Sequence, residues 1–352
     1  LISPGFANDP QKFKLATELS RITFPFLLFV SLSSFFSAIL NSNGKFAVAA
    51  GAPIILNIFL ILSIFYAKHF DQSYVKSMSF AVFISGLTQM LILIFYCKKY
   101  YKPKINLIIK ITNKIKDFFK KLLPSIFSAG VMQINILVGT IIASFQSSAV
   151  SYLYYADRIY QLPLAISGIA IGTVVLPVLS RTIANETKEK VSFIQNRSIE
   201  LSVFLSAPAA VGIIVGANEI VSCLFGYGSF DNISIQNTSK ALVIFGFGLP
   251  AFSLLKLYSN FYFARGDTNF PFKLSVLTVV LNILISLYFF KEYGFLSIAA
   301  GTTASCWLAV FVYKFYLKKD NFNFSDKIFI ERFAKIIVCS LVMGSLLYFQ
   351  FF

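Results

Sequence analysis

Residues 151–163 read SYLYYADRIYQLP and set an acid beside a base, Asp157 and Arg158, at the mouth of a long apolar helix. A guanidinium offers a planar fork of donors that matches phosphate bidentately. Ionisable groups at membrane depth are costly, so they face a bundle interior or a water-filled cavity and point to function. Arg158, Gln161, Ala165, Gly168 and Gly172 recur at spacings of 3, 4, 3 and 4, which puts them on one helix face. That face is polar at its start and small-sided further in. Gly168 and Gly172 form a GxxxG, which lets another backbone approach closely. Two readings stand for Asp157–Arg158. Either the pair lines a cavity, or it sits at the interface at a helix start, where a carboxylate suits the helix dipole.

Other polar groups lie in or beside apolar runs. Gln133 and Asn135 fall inside one run and are expected to face a bundle or cavity, because lipid offers them no hydrogen bonds. Lys256 either snorkels to the cytoplasmic edge or presents a cation to a cavity. Arg265 and Asp267 sit in the turn FARGDTNFP. They read either as a gate that pairs in one state or as a pair that stabilises the turn. The cysteines 97, 223, 306 and 339 are scattered without metal spacing, and His69 has no partner motif. No nucleophile–base set, metal cluster or Gly-rich phosphate loop is legible, so neither an enzyme nor a cofactor is expected.

The elements that position these residues follow from composition. The chain is 57% hydrophobic and 13% charged, about half the charge of a soluble domain. Its apolar runs are about 20 residues long, the length that crosses a bilayer. They predict an all-α polytopic membrane protein with about ten spans. These lie near 22–41, 47–67, 77–96, 122–145, 157–179, 198–216, 239–262, 271–290, 295–317 and 333–352. Residues 1–20 read as a loop leading into the first span, and 181–197 as a cytoplasmic loop. LFGYGSFDNISIQN reads as an outside loop without Lys or Arg.

Residues 98–121 hold nine lysines and one acid. Ile108, Ile111, Ile115 and Phe118 recur among them at helical spacing. This predicts a basic amphipathic helix on the cytoplasmic face, meeting anionic membrane lipids and linking two lobes. The net charge of +16 is explained by topology rather than by nucleic-acid binding. The alternate loops taken as inside carry 22 of the 31 Lys and Arg residues.

ITFPFLLFVSLSSFFSAILNSNGKFAVAAGAPIILN, SYLYYADRIYQLPLAISGIAIGTVVLPVLSR and FYFARGDTNFPFK resemble, in order, the lipid II flippase MurJ (MviN) family. The resemblance implies the MOP transporter fold, two helical lobes across a central cavity in the bacterial cytoplasmic (inner) membrane. On that map, 1–97 is the second half of the N-terminal lobe and 98–121 the linker. Residues 122–317 are the C-terminal lobe, and 318–352 a cytoplasmic loop plus one extra helix. The first three helices and the last of the family are absent. The chain also begins at Leu1, so a piece of a longer protein is expected.

The resemblance further implies that lipid II, an undecaprenyl-pyrophosphate-linked precursor, is the substrate. Peptidoglycan assembly proteins are implied as a partner class. Arg158 matches the arginine of the family's YYADR motif, with Asp157 and Gln161 as its companions. Some MOP proteins hold a cation through Asn and Asp four apart. Here Asn282 is followed by Ser286, so no metal site is expected. Another MOP-type exporter, for drugs or polysaccharide-lipids, and a non-transporting scaffold of cell-wall assembly remain as alternatives.

Overall fold

The computed structural model describes residues 10–43, 45–100, 115–116, 130, 133–185, 187–319 and 327–351. The predicted linker helix at 98–121 lies largely outside the described residues, as does the first half of the expected 122–145 span. Among the described residues, nine helices are long and apolar enough to cross a membrane, and a shorter apolar helix covers Gln133–Ala143. The protein is an all-α, multi-pass membrane protein.

The chain forms two compact units. Residues 6–116 make one and residues 117–352 the other. The first contains α1 (Pro10–Thr23), α2 (Pro25–Ser42), α3 (Phe46–His69) and α4 (Tyr74–Cys97). α4 packs against all three of its neighbours. Residues 10–20 are therefore helical rather than a loop. Pro10 and Pro25 open α1 and α2 at the position where proline's missing N–H costs nothing. Between them no glycine or proline interrupts the run, and Lys76 of α4 donates to Glu18 of α1 at 2.8 Å.

The second unit contains α5 (Gln133–Ala143), α6 (Ala149–Leu164), a π-helical segment (Ala165–Ala170) and α7 (Ile171–Asn185). These are followed by α8 (Lys188–Val215), α9 (Ala217–Phe225), α10 (Asn232–Ala264), α11 (Asn269–Tyr293), α12 (Leu296–Lys319) and α13 (Lys327–Phe351). Most helices overrun the expected apolar runs at one end or both. Arg181 lies in α7, and Lys188, Lys190 and Arg197 lie in α8, so the expected loop 181–197 is mostly helix. The expected outside loop is helical at both ends. Hydropathy marks where lipid is, whereas backbone hydrogen bonding continues into the interface until a cap or breaker stops it.

Asp231 is such a cap, accepting from the Ser234 N–H at 2.8 Å. The Ser234 hydrogen bonds hold the Asp231 carboxyl below the usual carboxylate range. The cap's contribution is therefore full above the unfolded pKa and is lost as pH falls through the lower folded value.

α10 is the axis of this unit. It packs on α6, α7, α8, α9 and α12, and most of its apolar stretch is buried. Small residues allow that. A Cβ on Gly246 would lie 2.9 Å from the Ile214 side chain of α8. Pro250 cannot donate to the preceding turn. Two other carbonyls of this stretch accept from α12: Thr303 donates to Ile244 O and Trp307 Nε1 to Phe247 O, both at 3.0 Å.

The π-helical segment is the second organising feature. It follows Pro163, and Ser167 in its midst is fully buried. Ser202 of α8 donates to the Ser167 carbonyl at 2.7 Å, and the Ser167 hydroxyl meets that of Ser253 in α10 at 2.7 Å. Gly168 lies against the α10 backbone, where a Cβ would come within 3.1 Å of Ser253 Cα.

Backbone cannot yield as a side chain can. Gly168→Val is therefore expected to cost about 1–3 kcal/mol through overpacking, lowering apparent melting temperature in micelles. Gly212→Ala, whose Cβ meets nothing within 4 Å, is expected to leave it unchanged or raise it.

Candidate functional site

Asp157 and Arg158 lie well inside α6, in a continuous helical stretch Ala149–Ile183 of 35 residues. They are not at a helix start, so the carboxylate does not serve as an N-cap. At about 1.5 Å per residue, that stretch exceeds the roughly 30 Å hydrocarbon core by some 20 Å.

The two neighbours have different partners. Gln161 Nε2, one turn on, donates to the Asp157 carboxylate. The Arg158 guanidinium lies 4.7 Å from the ring centroid of Tyr154, one turn back. Arg158 is exposed, while Asp157 and Gln161 are half-buried. Among the described residues no carboxylate pairs with Arg158 within 4.0 Å. Asp157 thus engages the amide of Gln161 instead of the adjacent cation.

The expected single face through Arg158, Gln161, Ala165, Gly168 and Gly172 is split. Before the π segment the buried residues are Ala149, Tyr152, Ala156 and Ile159. After it, Ile171, Gly172 and Leu179 are buried. A π turn takes an extra residue, which rotates everything beyond it by roughly 100° relative to an unbroken α-helix. Gly168 and Gly172 are thereby turned onto α10, where a Cβ on Gly172 would meet Asn260 Nδ2 at 2.6 Å. Arg158 and Ala165 stay exposed. The GxxxG is a packing seam, and the arginine belongs to another side of the helix.

The remaining predicted residues separate as well. Asn135 is in the bundle: it accepts from Asn282 Nδ2 of α11 at 2.7 Å. Gln133 is exposed. Positions two apart on a helix point in nearly opposite directions, so the two could not both face one bundle. Ser286 donates to Asn282 Oδ1 at 3.2 Å, so the Asn–Ser pair makes hydrogen bonds within the helix layer. Among the described residues no cluster of His, Cys, Asp or Glu could hold a metal.

Lys256 is exposed on α10. Asp267 accepts from the N–H groups of Asn269 and Phe270 at 3.0 and 3.1 Å and so caps the start of α11. Arg265 extends over Phe261 and Tyr262, 5.8 Å from each ring centroid.

These features coincide with a known family. The sequence model described as lipid II flippase MurJ matches residues 1–351. The chain belongs to the MurJ family. A probable lipid II flippase MurJ of Rhizobium tropici is 34% identical over 352 residues, covering 99% of this chain and 66% of the relative. The corresponding protein of Rickettsia prowazekii (strain Madrid E) is 34% identical over 349 residues, covering 97% and 68%. The chain thus spans about two thirds of the length of these curated relatives.

A solved lipid II flippase MurJ in an inward closed conformation superposes with a TM-score of 0.83 at 27% identity, over 97% of this chain and 70% of that one. An inward-facing multidrug-resistance MATE transporter of the MOP superfamily gives a TM-score of 0.76 at 15% identity, over 95% and 76%. The fold is accordingly of the MOP type, and MurJ-family membership places the chain in the bacterial cytoplasmic membrane.

Sequence reasoning missed the Ser167–Ser202–Ser253 junction and the Asn135–Asn282 bond. Polar residues inside apolar runs were the available signal, since each needs a partner away from water. A double-mutant cycle of Asn135→Ala and Asn282→Ala is expected to give a coupling of about 0.6–1.7 kcal/mol, read from unfolding in micelles.

Proposed function

We propose that this chain is the larger part of a flippase that moves lipid II from the inner to the outer leaflet by alternating access. The observation that carries the reading is the family match along residues 1–351, joined to an exposed Arg158 without a carboxylate partner on a spanning helix. The cargo's difficulty is its pyrophosphate, an anion that cannot cross hydrocarbon unaccompanied. Arg158 would offer it two parallel hydrogen bonds. Stacking on Tyr154 holds the guanidinium along the helix and lowers the entropy lost on binding. Asp157, held by Gln161, keeps a negative charge near Arg158 without consuming its donors.

Lys256 and Arg265 are candidates for electrostatic guidance of the same head group, and Gln133 for a neutral polar contact. Asp267 has a structural role in this reading, because its carboxylate is occupied as a helix cap. The displaced precursor would be consumed at the outer face by glycosyl-transferring assembly proteins, the partner class that fits its chemistry.

The test is depletion and rescue with the full-length parent gene in a host lacking its own lipid II flippase, with membrane levels matched. Wild type is expected to rescue growth. Arg158→Ala is expected to fail, and Arg158→Lys to rescue poorly, because an ammonium cannot make the bidentate contact. Full rescue by Arg158→Ala at wild-type level would remove Arg158 from the mechanism. Failure of well-expressed wild type would remove the lipid II assignment.

A further inference from the structure

α8 and α13 pack together, and at one end of their seam lies a groove of about 400 Å³. Its rim is built around Glu200 of α8, whose side chain is only 15% exposed. One carboxylate oxygen accepts from Arg197, a turn back on the same helix. The other accepts from Arg332 of α13 at 2.9 Å. Lys335, one turn along α13, completes the rim. Two arginines thus pair with one carboxylate, and Lys335 adds a third cation to the lining, a net charge of +2 over these four residues. Among the described residues no carboxylate pairs with Lys335. Arg332 has one Nη on Glu200, and a guanidinium carries five N–H donors.

The wall of the groove is apolar: Leu201 and Phe204 on α8 and Ile336 on α13. Leu201 and Phe204 are 49% and 56% exposed. Charge ends and apolar surface begins within about one helical turn on both helices. Further basic residues lie at this end of both helices: Lys188 and Lys190 precede Arg197 on α8, and Lys327 precedes Arg332 on α13. By the positive-inside rule this is the cytoplasmic end.

We propose that the α8–α13 groove binds an anionic phospholipid of the inner leaflet, its phosphate on Arg332 and Lys335 and its acyl chain along Leu201, Phe204 and Ile336. Charge complementarity selects the anion, and the adjoining apolar wall selects a lipid over a soluble phosphate. Glu200 holds Arg197 and Arg332 in place across the two helices and limits repulsion among the cations when the groove is empty. The proposal does not depend on what the protein transports.

The experiment is native mass spectrometry of the full chain in neutral detergent, mixed with phosphatidylglycerol or phosphatidylcholine in equal amounts. Phosphatidylglycerol is expected to be retained about tenfold better, and Arg332→Gln with Lys335→Gln to abolish that preference. Lys335→Gln alone, which breaks no ion pair, is expected to reduce it to about threefold, and it keeps the test decisive should the double variant elute misfolded. Lys318→Gln with Lys319→Gln removes the same charge elsewhere and is expected to change nothing. Equal retention of both lipids by wild type, or a preference that survives Lys335→Gln undiminished, overturns the site. Competition by glycerol phosphate as effective as by the lipid overturns the lipid assignment in favour of a soluble anion.

Discussion

The C-terminal unit depends on how three helices approach one another where α6 gives way to α7. Within a bilayer, apolar side chains gain little by leaving lipid for protein, so close backbone contact and hydrogen bonds must hold helices together. Ser167, Ser202 and Ser253 supply those bonds at one level, and Gly168 supplies the closeness. The Ser167 carbonyl lies in the π-helical segment and accepts from α8, which provides a partner for a backbone group beside the widened turn. α10 can serve as the axis because Ser253 meets the π segment, Gly246 lets α8 close in, and Gly172 of α7 and Thr303 of α12 approach it directly.

That junction also fixes what the helix offers elsewhere. The extra residue in the π segment decouples the two ends of the 149–183 helix. One end keeps Ala156 and Ile159 in the core, while the other swings Gly168 and Gly172 into it. Arg158 is thereby left outside the seam, stacked on Tyr154 and without an acidic partner. A cation buried in the seam would have needed a carboxylate to offset its desolvation. Left exposed, it stays available to an anion.

Charge placement follows the same division between structure and availability. Asp267 is spent on capping α11, and Asp157 on Gln161. Glu200 is spent on binding two arginines across α8 and α13. Arg158 and Lys335 have no carboxylate partner among the described residues.

Class and family were legible in the sequence, because each rests on local or additive properties. Runs of about 20 apolar residues must be spanning helices, since only a helix satisfies its own backbone in lipid. Contiguous segments such as SYLYYADRIYQLP carry the family resemblance. Helix ends were less legible, because hydropathy does not report interfacial turns, as Pro10–Thr23 and Lys188–Arg197 show. The face of each side chain was decided only in three dimensions. A period of 3.6 places Arg158 with Gly168, and a single π turn separates them. Nothing in residues 163–170 announces that turn, because it is held by hydroxyls from α8 and α10, far away in sequence. The pairing of Asn135 with Asn282, and of Glu200 with Arg332, has the same origin: long-range packing chooses partners that spacing cannot.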